Sequence, residues 1–106
     1  MLYIFGGLPG AGKSTLSKTL AREQQAVYLR IDTIEQALRD SGQTVHGPEG
    51  YMVAYTIAAD NLRLGRSVVA DSVNPFAVTR TAWREVAARL SVPFVEIEVI
   101  CSDAAE

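Results

Sequence analysis

The chain has 106 residues, enough for one hydrophobic core and one domain. Its 48% hydrophobic and 21% charged residues are ordinary globular composition, and a net charge of −2 gives no overall basic surface for nucleic acid or membrane. A single cysteine, Cys101, excludes an internal disulfide and fits a reducing compartment; no apolar run has the length of a signal-peptide core or a membrane span. The expectation is a cytoplasmic protein.

Leu2-Tyr3-Ile4-Phe5, ending in Gly6-Gly7, reads as a strand buried on both faces of a parallel sheet. Lys13 to Gln24 follows as a helix with Leu16, Leu20 and Ala21 on its apolar stripe. Val27 to Ile31 is the second strand, and Asp32-Thr33 opens a helix through about Arg39, stopped by Asp40-Ser41-Gly42. After a polar loop, Pro48-Glu49 starts a longer helix to about Leu64, which Gly65 terminates. Ser67 to Ala70 is the third strand with Asp71 at its tip. Asn74-Pro75 begins a helix to Leu90 with Phe76, Trp83, Val86, Ala87 and Leu90 on one face. Pro93 to Ile100 is the fourth strand, and Ser102-Asp103 has the form of a helix N-cap. Strand and helix alternate throughout, which predicts an α/β fold: an open parallel sheet covered by helices on both faces, in three α/β/α layers.

The chemistry is concentrated in Gly7 to Ser14, GLPGAGKS, which satisfies the pattern Gly-x4-Gly-Lys-Ser between a buried strand and an amphipathic helix. Glycines let the loop fold back so that the N–H groups of Gly7, Leu8, Pro9, Gly10, Ala11 and Gly12, proline excepted, can converge on phosphate oxygens. The following helix adds its positive dipole end. In this pattern Lys13 reaches the β- and γ-phosphates, Ser14 places a hydroxyl on Mg²⁺, and Thr15 adds one near the α-phosphate. The ligand is ATP or GTP with magnesium.

In an open α/β sheet, ligands bind outside the carboxyl ends of the strands. Asp32 and Asp71 both stand at such ends. Either has a local explanation: Asp32 as a helix cap, Asp71 as a turn residue. Beside a phosphate loop, however, phosphoryl transfer needs one acid linked to the metal and one facing the attacking hydroxyl. Asp71 is assigned to the metal and Asp32 to the acceptor, roles the sequence allows to be exchanged. Arg30 precedes Asp32 by two, which in a strand puts both side chains on one side and makes Arg30 a candidate phosphate or substrate contact as well as a plain edge arginine. Tyr51 and Tyr55, on the long helix, are candidates for the acceptor wall as well as for the core. Arg80 and Arg84 bracket Trp83 and are candidates for the cleft as well as for a solvated face.

Together the phosphate loop, Arg30-Ile31-Asp32 and the run Asp71 to Pro75 resemble the zeta-toxin-like and chloramphenicol-phosphotransferase-like P-loop kinases, an AAA-type group of small kinases. Gluconate kinase and the kinase half of polynucleotide kinase are similar. The resemblance spans the whole chain and implies a P-loop NTPase sheet in the order 2-3-1-4-5, with Asp71 beside the phosphate loop and Asp32 as base. It also implies a lid helix with arginines, a fifth strand and a base-binding loop after strand four. Because the sequence ends at Glu106, the expectation is a truncated chain with reduced ATP affinity and slow or absent catalysis. The function expected is transfer of the γ-phosphoryl of Mg-ATP to a hydroxyl-bearing small molecule. The alternatives are a polynucleotide-end kinase and a nucleotide-binding protein without transfer activity.

Overall fold

In chain order the elements are strand β1 (Leu2–Gly6), helix α1 (Lys13–Gln24), strand β2 (Val27–Arg30), helices α2 (Ile31–Asp40) and α3 (Glu49–Arg63), strand β3 (Val68–Asp71), helix α4 (Ala77–Arg89) and strand β4 (Phe94–Glu98). They are seen in a computed structural model that describes residues 1–7, 12–72 and 77–99. The loop tip from Leu8 to Ala11, the Asn74-Pro75 helix start with Phe76, and the Ser102-Asp103 cap lie outside the described residues.

The four strands form one sheet in the order β2-β3-β1-β4, every neighbouring pair parallel. This is the order expected of strands one to four. The two central strands are the most apolar stretches of the chain, and β3 is buried at all four positions. Such strands are stable only with both faces covered. On one face Leu2, Ile4, Leu29, Val68 and Ala70 meet Ala54, Ala58 and Leu62 of α3 and Trp83, Val86 and Ala87 of α4. On the other, Phe5 and Val69 meet Ala21 of α1. Each fully buried aliphatic or aromatic side chain contributes about 1.5–3 kcal/mol, so these two layers fix where the strand ends lie.

Two local expectations are corrected. The buried residues of α1 are Lys13, Ser17 and Ala21, spaced by four, whereas Leu16 is 53% exposed. The helix is turned so that the face bearing Lys13 meets the sheet, which carries Leu16 away from it and leaves only Leu20, beside Ala21, packed at the margin of the core. The second strand ends at Arg30, and Ile31 already belongs to α2. Asp32 is therefore an acid in the first helical turn, where the helix dipole favours it, and Arg30 holds the N-cap position.

Candidate active site

The carboxyl ends of β1 and β3 lie side by side at the middle of the sheet, with Phe5 in register with Asp71 and Arg30 in register with the same aspartate on its other side. The phosphate loop leaves from β1 at this point. Gly7 has φ +125°, and a Cβ there would overlap the Val99 carbonyl, so only glycine fits. The loop re-enters helix at Gly12, whose left-handed φ of 82° forms the N-cap of α1. A glycine cap has no side chain to occupy the first-turn N–H groups, which leaves those donors for an anion.

Lys13, the first residue of α1, is buried, and its Nζ lies 3.2 Å from Asp71 Oδ1. Asp71 is only 2% exposed and receives two further donors on its other oxygen. The Tyr28 hydroxyl donates to Oδ2 at 2.7 Å and Ser17 Oγ donates to it at 2.8 Å. Ser17 Oγ also lies 3.1 Å from the Ser14 carbonyl and 3.2 Å from the Tyr28 hydroxyl. Having one proton, it favours the charged acceptor. Burial pushes the Asp71 carboxyl up, but the bonds from Tyr28 and Ser17 and the charge of Lys13 outweigh it and hold it below its ordinary value. Burial pushes the Tyr28 phenol up, a shift its bond to Asp71 reinforces, so it stays protonated and remains a donor.

Asp32 stands at the end of β2 with a largely exposed carboxylate, and its Oδ2 lies 3.8 Å from Arg30 Nη2. The two do share a side, through the first turn of α2 rather than through strand alternation. Ser14 and Thr15 follow Lys13 on the first turn of α1. The described part of the phosphate loop, Asp71 and the Arg30–Asp32 pair thus converge on the carboxyl edge of the sheet.

The remaining candidates lie on α3 and α4. Arg84 donates from Nε and Nη2 to the two carboxylate oxygens of Glu96 on β4, at 2.6 and 2.9 Å, and it faces a cavity of about 260 Å³ that Arg80, Gly6 and Glu98 also line. Gly6 and Glu98 end β1 and β4, so this cavity opens at the carboxyl edge of the sheet, beside the start of the phosphate loop. Tyr51 and Tyr55 pack against the core, Tyr55 edge-on to Trp83 with ring centroids 4.7 Å apart. Sequence reasoning missed Ser17, Tyr28 and Ser72, the last buried beside Asp71 with no hydrogen-bond partner for its Oγ among the described residues.

The donor set suits magnesium: a partly exposed serine hydroxyl and one carboxylate are hard oxygen ligands, and this ion takes few protein ligands because water and phosphate complete its shell. No cluster of three or more His, Cys, Asp or Glu that could hold a metal occurs among the described residues. Nor is any described helix long and apolar enough to cross a membrane.

A family model described as an AAA domain, AAA_33, matches residues 2–105. The chain belongs to this family. No curated protein matches the AAA_33 chain. Among solved structures it is similar to a candidate kinase from Chloroflexus aurantiacus, with a TM-score of 0.81 and 23% identity over 92% of this chain and 58% of that one. It is also similar to the APS kinase of Mycobacterium tuberculosis in complex with AMPPNP and APS, with a TM-score of 0.67 and 20% identity over 92% of this chain and 61% of that one. A gluconokinase from Sinorhizobium meliloti gives a TM-score of 0.61 and 15% identity, over 91% and 55%. The AAA_33 chain thus has the fold of P-loop kinases and spans somewhat over half the length of these three.

Proposed function

We propose that this AAA_33 chain is an ATP-dependent phosphotransferase that moves the γ-phosphoryl of Mg-ATP to a hydroxyl of a small molecule, within the zeta-toxin-like and chloramphenicol-phosphotransferase-like group of P-loop kinases. The observation that carries the reading is the buried Lys13–Asp71 pair at the central strand ends, beside a glycine loop and next to the Arg30–Asp32 pair. The similarity in fold to a kinase solved with AMPPNP and APS supports both ligand classes.

In this reading the loop from Gly7 to Gly12 wraps the phosphates with backbone N–H groups, and Lys13 leaves Asp71 for the β- and γ-phosphate oxygens. Ser14 and Asp71 would hold Mg²⁺, and Thr15 would contact the α-phosphate. The ion, when bound, supplies positive charge to the phosphate oxygens. Asp32 accepts the proton of the acceptor hydroxyl as its oxygen bonds to the γ-phosphorus. The bond from that phosphorus to the β–γ bridging oxygen breaks, and ADP leaves. Arg30, beside Asp32 at the end of β2, is placed to contact a phosphate or the acceptor.

The test is Asp32→Asn, measured by ADP release across a panel of hydroxyl-bearing small molecules and by ATP titration. Binding stays within about twofold, while transfer falls by about 10²-fold or more, as expected for loss of a general base. Undiminished transfer in the variant removes Asp32 from the reaction.

A further inference from the structure

An ionised carboxylate offers two oxygens, and the surroundings of Asp71 treat them differently. Oδ2 carries two hydroxyl donors, Tyr28 from β2 at 2.7 Å and Ser17 from α1 at 2.8 Å, whereas Oδ1 faces Lys13 Nζ at 3.2 Å. We infer that Tyr28 and Ser17 are positioning residues: they clamp Oδ2 so that Oδ1 is the oxygen Asp71 presents to the magnesium-nucleotide side of the site. The inference rests on the nucleotide-binding part of the function proposed above.

Three points carry it. The terminal torsion of an aspartate is broad, so an unclamped carboxylate rotates freely between its oxygens. Lys13 cannot serve as the clamp, because a triphosphate draws its ammonium away from Asp71. The two hydroxyls remain, and they come from separate elements on either side of the aspartate, with Ser17 buried to 0% exposure. Ser17 shares α1 with Ser14, so its bond to Asp71 also docks the start of that helix, which bears the Ser14 hydroxyl, against β3. A carboxylate held in one orientation before the ion arrives suits a near-octahedral ion with short bonds. Neither hydroxyl needs to touch nucleotide or metal.

The experiment measures ATP affinity by calorimetry with Mg²⁺ and with EDTA, on the native chain, Tyr28→Phe and Ser17→Ala. Each variant removes one oxygen and keeps the remaining framework. The factor by which Mg²⁺ strengthens ATP binding falls about tenfold in each variant, while affinity in EDTA stays within about twofold of native. An unchanged magnesium factor in either folded variant overturns the inference. So does an equal loss with and without Mg²⁺, which is the mark of a merely structural role. If Tyr28→Phe does not fold, Ser17→Ala decides by the same criterion. A native chain that gains no affinity from Mg²⁺ overturns the proposed magnesium site itself, a result distinguishable because it needs no variant.

Discussion

Replacing Lys13 by methionine removes one member of a buried ion pair without removing its apolar stem. With 7% and 2% of the two side chains exposed, neither charge is well solvated. Unit charges 3.2 Å apart attract by about 5 kcal/mol at an effective dielectric of about 20. Removing one partner of such a pair has a cost of about 3–5 kcal/mol, because the other charge stays buried and uncompensated. In Lys13→Met the Asp71 carboxylate keeps the donors Tyr28 and Ser17, which places the cost at the lower end, about 3 kcal/mol. Asp71→Asn strands the ammonium and costs about as much. The double variant has no stranded charge, so its destabilisation falls short of the sum of the singles by about 3 kcal/mol. Urea unfolding of all four proteins, with stability taken from midpoint and slope, gives this coupling directly. For a domain of this size total stability is about 5–15 kcal/mol, so each single variant should shift the midpoint visibly. Additive effects, with coupling below about 0.5 kcal/mol, would refute the pairing of Lys13 with Asp71 as the organising contact of the nucleotide-free site.

Trp83 is fully buried edge-on against Tyr55, and its Nε1 has no hydrogen-bond partner among the described residues. Trp83→Ala is expected to cost about 3–5 kcal/mol, whereas Trp83→Phe costs well under half of that because no hydrogen bond is lost; thermal unfolding distinguishes the two. Burial pushes the Tyr55 phenol up from 10.0 to about 12, with Tyr51 adding to the shift. Its contribution is fully present below pH 10; as pH rises from about 10 to about 12 the unfolded chain releases the proton first and stability falls. Tyr55→Phe should flatten this alkaline loss relative to the native protein, and parallel curves would contradict the assignment. Gly7→Ala, at φ +125° and against the Val99 carbonyl, should weaken nucleotide binding at least tenfold by calorimetry; native-like affinity would show that the loop tolerates a side chain there.

Much of the architecture was legible because the signals were local. Leu2 to Phe5 and Ser67 to Ala70 are short apolar runs that only a doubly covered sheet accommodates, and the positions of Asp32 and Asp71 follow from where those runs and their neighbour end. The rotation of α1 is less legible, since apolarity alone favours Leu16 on the inner face. The competing requirement is that Lys13 point at the site. Once that is granted, Ser17 and Ala21 must point inward with it, at spacings of four, so the signal for Ser17 was present in the phosphate-loop motif itself. Tyr28 is different: its place on Asp71 depends on the register of β2 against β3, which pairs Arg30 with Asp71 and which no local pattern encodes. Arg84 turned to Glu96 for the same reason, because the pairing of β4 with β1 brings that glutamate beneath α4.

In the function proposed here, the loop from Gly7 to Ser14 binds the phosphates of a magnesium nucleotide through Lys13. Calorimetric titration of the native chain and of Lys13→Met with ATP and Mg²⁺ tests it most directly. Saturable one-to-one binding by the native chain, weakened at least tenfold in Lys13→Met while the variant remains folded, is the predicted result. Equal affinity in the two proteins, or no binding to either ATP or GTP by the native chain, would contradict it.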